Sequence, residues 1–189
     1  MRIYTSWRTW PEVDAGLADL SPAARAAERW HGTQLRPTGV PYLEHLLEAL
    51  EVLVHGAEVD DRAVLAAVLL HDTVEDTDAT ITDLEREFGP WVAELVDWVT
   101  KPDVAGASRT AKRAAKAAYL RRLREAPPEA IAVKLADRAS NVQRLDQMPP
   151  DFQRRYYAET VTYILPLAAG VAFFEEWYEQ WRREFGHLG

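Results

Sequence analysis

The stretch "AAVLLHDTVEDT", residues 66–77, sets His71 and Asp72 directly behind five apolar residues and repeats acid at Glu75 and Asp76. An imidazole and carboxylates at the end of a run fit for burial are costly to desolvate unless something offsets them, and a bound cation is one such partner. At helical spacing His71 and Glu75 are one turn apart, as are Asp72 and Asp76, so each pair falls on nearly one face. Adjacent His71 and Asp72 can give a nitrogen and an oxygen to the same divalent ion, and the next turn can hold Glu75 or Asp76 beside a water. The competing reading is a helix end that happens to be acidic. That reading is awkward, because acid is unfavourable at the negative end of a helix dipole.

Two other segments carry similar residues. His45 sits in "YLEHLLEAL", flanked by Leu43, Leu46 and Leu47, where it is either a satisfied core histidine or a ligand. In "IAVKLADRASNVQRL", residues 131–145, Asp137 falls in the middle of a half-apolar helix with Lys134 and Arg138 as candidate charge partners. Lys134, Asp137 and Asn141 share one helical face, an arrangement of base, acid and amide that suits a site better than a core.

The elements that must position these residues read as helices almost throughout, and no stretch sustains period-2 alternation. "PYLEHLLEALEVLVHG" opens on proline and closes on glycine, and "DDRAVLAAVLLHDTVED" opens on acids suited to a helix N-terminus. "TITDLEREFGP" reads as a short helix stopped by Gly-Pro, followed by the amphipathic "PWVAELVDWVTK". Residues 109–126, 128–146, 151–168 and 170–186 complete the series. The expectation is an all-α bundle of about eight to ten helices, forming a single domain over residues 1–189.

Composition narrows the function. The chain has 189 residues, 48% hydrophobic, with 22 basic and 30 acidic residues for a net charge of −8. That balance argues against DNA or RNA as a partner, since backbone binding relies on a basic surface. The basic run "SRTAKRAAKAAYLRRLRE", residues 108–125, reads as a solvated face, with steering of an anionic ligand as its other reading. No apolar run approaches the roughly 20 residues that span a bilayer. The N-terminus lacks the apolar segment of a secretory signal, and there is no cysteine for disulfides or thiolate metal sites. A cytoplasmic protein is expected. Trp7, Trp10, Trp30, Trp177 and Trp181 cluster towards the termini, which suits core packing and leaves a homo-oligomeric surface open.

The order His45, then His71-Asp72, then Asp137, on separate helices, resembles the signature of the HD superfamily of metal-dependent phosphohydrolases. The surroundings resemble the hydrolase domain of RelA/SpoT-type alarmone enzymes more closely. "RWHGTQLRPTGVPYLEHLLEAL" is similar to its opening, "LLHDTVEDT" to its second motif, and "FGPWVAELVDWVTK" to its Val-Thr-Lys segment. "VKLADRASNVQRL" is similar to its Lys-Leu-Ala-Asp-Arg … Asn motif, and "AETVTYILPLA" to the helix that follows. The resemblance runs over about residues 25–170, with 171–189 as a C-terminal helix outside it.

The resemblance implies Mn²⁺ held by His45, His71, Asp72 and Asp137. It implies Glu75 as general base with Asp76 supporting it, and Arg36, Lys134 and Asn141 at the substrate. The implied reaction removes the 3′-pyrophosphate of ppGpp or pppGpp, giving GDP or GTP and pyrophosphate. The chain length resembles the small stand-alone hydrolases, for which a cognate alarmone synthetase is a compatible partner. Three positions depart from the pattern: Pro37 where a basic residue is usual, Arg144 where a hydroxyl is usual, and Leu46 where proline is usual. These leave ppApp or the 2′-phosphate of NADPH open as substrate. A module that binds alarmone without turning it over is the non-enzymatic alternative. His31 is read as a supporting or packing residue, and His55 as suited to a helix C-terminus.

Overall fold

The computed structural model of the chain describes residues 1–189 and is all-α. After an extended N-terminal segment and two short 3₁₀ turns come α1 (Ser21–His31), α2 (Leu43–Glu51), α3 (Arg62–Leu70) and α4 (Thr73–Asp76). Then follow α5 (Ile81–Phe88), α6 (Pro90–Val99), α7 (Arg109–Arg122), α8 (Pro128–Val142), α9 (Pro150–Glu159) and α10 (Ala172–Glu184). No helix is long and apolar enough to cross a membrane.

The ends follow the local chemistry of the sequence. The Asp61 side chain accepts from the Ala63 and Val64 amides at 2.8 and 3.3 Å, capping α3. Thr80 and Asp83 form a reciprocal capping box that starts α5. Proline opens α6, α8 and α9, where its missing N–H costs nothing.

α8 is the axis of the bundle. It packs on α2, α3 and α6, and Ala130, Val133, Leu135, Ala136, Ala139 and Val142 are all fully buried. A helix enclosed on all sides must find partners for any charge it carries. α10 closes one side: Tyr178 donates to the Leu135 carbonyl at 2.7 Å and Trp181 to that of Val142 at 3.0 Å. Trp7, Trp177 and Trp181 are core residues, whereas Trp10 and Trp30 only lean on the core.

Three expected helices are interrupted. The segment 60–76 breaks at His71–Asp72, where Asp72 takes φ −98°, ψ −2° and starts the separate turn α4. Both side chains at the break are turned inward, His71 fully and Asp72 largely. The helix expected over 41–56 widens into a π turn at Val52–Gly56. There a Cβ on Gly56 would lie 2.3 Å from the tip of the Phe173 ring, so any larger residue must push that ring aside. The helix expected over 151–168 ends at Glu159 and continues as a π turn and a 3₁₀ turn, as Pro166 forbids a regular ladder. Likewise α8 ends at Val142, short of residue 146.

Candidate metal centre and the clefts beside it

α2, the end of α3 and the middle of α8 meet in the core, and they bring His45, His71, Asp72 and Asp137 together. One ligand atom from each of the four lies within 4.8 Å of all the others. The Nε2 atoms of His45 and His71 face each other at 3.2 Å. Asp72 Oδ2 lies 3.3 and 3.1 Å from them, and Asp137 Oδ1 lies 3.4 and 3.5 Å away.

The outer contacts fix which ring atoms point inward. His71 Nδ1 donates to the Val68 carbonyl at 2.7 Å, which leaves Nε2 for the centre. Ser140 Oγ gives its one proton to Glu48 Oε2 at 2.6 Å, so it accepts from His45 Nδ1 at 2.8 Å. Glu48 in turn receives Arg36 Nη1 at 2.9 Å. Asp137 is held at both oxygens, by Lys134 Nζ at 2.7 Å and by Asn141 Nδ2 at 2.6 Å. Tyr42 donates to Asp72 Oδ2 at 2.5 Å and stacks on His31, whose ring is buried and bonded to Gln34.

The electrostatics match this geometry. Burial depresses the His71 pKa, but the Asp72 and Asp137 carboxylates outweigh it and push the group up to about 10. Burial likewise raises Asp137 and Asp72, yet Lys134 and the two histidines hold Asp137, and the two histidines hold Asp72, well below the usual carboxylate range. The centre therefore favours positive charge, which a proton on Nε2 or a divalent cation can supply. Two nitrogens and two carboxylate oxygens form a mixed set suited to Mn²⁺ or Zn²⁺ and too poor in oxygen for a dedicated calcium cage. The residues fit a metal.

Two clefts open on either side of Asn141. The first, of about 200 Å³, is lined by Asp72, Glu75, Lys101, Lys116, Asp137 and Arg138, among others. Glu75 accepts from Lys101 Nζ at 2.5 Å, and Lys101 remains charged because Glu75 and Asp137 outweigh its burial and the repulsion of Lys134. Asp76 faces solvent instead and accepts from Gln34 Nε2 at 3.1 Å. Lys134 also reaches this cleft, but its ammonium is buried and committed to Asp137. The second cleft, of similar volume, is lined by Arg36, Glu44, Glu48, Asn141 and Arg144, among others.

The profile of the HD-domain family matches residues 23–170, which is most of the chain. The chain belongs to the HD-domain family. Its HD domain is of the RelA/SpoT type: it is 39% identical over 160 residues to a probable GTP pyrophosphokinase of Mycobacterium leprae, covering 82% of this chain and 19% of the relative. A GTP pyrophosphokinase of Streptomyces coelicolor is 38% identical over 163 residues, covering 84% and 18%. This chain thus spans about a fifth of the length of the curated relatives it matches. Among solved structures, a metazoan ortholog of SpoT, described as hydrolysing ppGpp and playing a role in starvation responses, matches with a TM-score of 0.77. It is 28% identical over 92% of this chain and 97% of its own. The likeness extends over nearly the whole of both chains, so the fold is shared throughout.

Sequence reasoning missed the supporting residues. Tyr42 and Lys101 lie inside the family-like motifs at positions where spacing points to no role, and Glu48 and Ser140 read as ordinary helix positions. A usable signal existed for the last two: each falls one turn after a ligand, His45 and Asp137, on a helix otherwise buried.

Proposed function

We propose that this domain hydrolyses the 3′-pyrophosphate of ppGpp or pppGpp with Mn²⁺ held by His45, His71, Asp72 and Asp137. The observation that supports it most is the pair of opposed Nε2 atoms beside two carboxylates, Asp72 and Asp137, which themselves line a cleft holding three lysines and an arginine. A divalent ion bound there would act as a Lewis acid on phosphoryl oxygen and make water more acidic. The chain's own groups do the rest. Lys101, Lys116 and Arg138 draw the 3′-pyrophosphate into the first cleft, while Asn141 marks the ribose between the two clefts. Glu75 takes the proton of the attacking water as its oxygen bonds to phosphorus and the bond from phosphorus to the ribose 3′ oxygen breaks. That ribose oxygen leaves as a hydroxyl with a proton from solvent. Asp76 supports Glu75 through the α4 turn, and Lys134 keeps Asp137 ionised and oriented. Arg36 holds the base side of the nucleotide, with Glu48 fixing its guanidinium.

The test is incubation of purified protein with ppGpp, with and without Mn²⁺, resolving products by anion exchange. GDP and pyrophosphate should appear only with metal, and His71→Ala should lower the rate by about 10³-fold or more. Bound metal without product would move the same chemistry to ppApp or NADPH, or leave a module that binds alarmone without turning it over.

A further inference from the structure

The second cleft has a wall that the family match does not reach. The N-terminal segment, before residue 23, lies along it, and Thr5, Trp7 and Arg8 are part of its lining. This segment is tied down where it passes the site. The Tyr4 amide donates to Gln143 Oε1 at 2.9 Å, and Gln143 Nε2 donates back to the Tyr4 carbonyl at 3.0 Å. The Ser6 amide donates to Glu51 at 2.7 Å, and Trp7 is buried edge-on against His55. Gln143 directly precedes Arg144, so one turn of chain both fastens the segment and carries a second cation to the cleft.

The charges around the cleft are unequal. Arg36 is paired with Glu48, and Glu44 is the remaining carboxylate of the lining. Arg8 and Arg144 are exposed and neither is in an ion pair. Two guanidiniums outside any ion pair, lining one cleft, match an oligophosphate, which accepts hydrogen bonds from planar donors. Asn141 lines both clefts, so a ligand whose 3′ end lies at the metal centre extends past it into this one.

We infer that Arg8 and Arg144 form a clamp for the 5′-oligophosphate of the nucleotide, a specificity-determining element built partly from the N-terminal segment. This rests on the proposed reading of the first cleft as the 3′ end of the same site. Glu44 repels phosphate and Arg36 is taken by Glu48, which leaves Arg8 and Arg144 as the cations free to hold it.

The experiment is calorimetric titration of the full chain with GDP and with guanosine, using wild type, Arg8→Ala and Arg144→Thr. GDP should bind more tightly than guanosine, each variant should lose about tenfold in GDP affinity, and guanosine affinity should stay level. Raising salt should weaken GDP binding to wild type more than to either variant. The clamp is overturned if GDP shows no binding, if GDP and guanosine bind alike, or if both weaken equally in the variants. The two claims fail separately. Hydrolysis of ppGpp with variants that keep GDP affinity sinks the clamp alone, and arginine-dependent GDP binding without hydrolysis sinks the reaction alone.

Discussion

Asp137 and Arg138 are neighbours on α8, yet they belong to opposite kinds of buried charge cluster. Around Asp137, two carboxylates meet one ammonium and two imidazoles, so the cluster is short of positive charge. Around Arg138, a guanidinium and Lys116 share one carboxylate, Glu159, at 2.5 Å each. Arg138 lies 5.0 Å over the Tyr156 ring, whose face offsets part of its charge. Both clusters line the first cleft. One wall therefore favours a cation and the other an anion, which is the polarity that a metal ion and a pyrophosphate need side by side. The two differ in sign: the second holds two cations against one carboxylate, whereas the first holds two carboxylates against one ammonium.

The contrast can be broken from the structural side first. Arg138→Met should destabilise the fold by about 3 kcal/mol in denaturant melts, since it leaves Glu159 nearly buried with only Lys116 beside it. A loss below about 1 kcal/mol would mean that Lys116 alone neutralises Glu159. Glu75→Gln sharpens the other cluster: Mn²⁺ binding should persist while turnover of ppGpp falls about 10²-fold. Normal turnover would remove Glu75 from the role of base. Ser140→Ala deprives His45 Nδ1 of its acceptor, and Mn²⁺ affinity should fall about tenfold with the fold intact.

The smallest effect is one of pH. Burial raises the Glu159 pKa, but Arg138 and Lys116 outweigh it and hold the group below its ordinary value of 4.5. An acid depressed in the folded state lends stability above its unfolded pKa and loses it as pH falls through the folded one. Thermal melts below pH 4.5 should therefore cost wild type more stability than Glu159→Gln. Parallel curves would show that the pair adds nothing.

The same comparison explains how much could be read from the chain. The all-α class and the three ligand-bearing segments were legible because helical period, proline and glycine punctuation, and the His-Asp and Lys-Leu-Ala-Asp-Arg motifs are local signals. The break at His71–Asp72 was hidden, since the apolar run before it and the acids after it fit one continuous helix. Partnerships across the sequence were hidden too. Ser140 reaches His45 from 95 positions away, and Lys101 reaches Glu75 from 26. Lys134 and Arg138 were interchangeable partners for Asp137 by spacing alone. Packing decides between them, because Tyr156 and Glu159 occupy the side to which Arg138 points.

The most direct measurement is the number of Mn²⁺ ions bound per chain, from the electron paramagnetic resonance signal of the free ion, in wild type and His71→Ala. The account predicts one tight site in wild type and none in the variant. No tight binding to wild type, or a stoichiometry unchanged by His71→Ala, would contradict the claim that the cluster around Asp137 is completed by a metal.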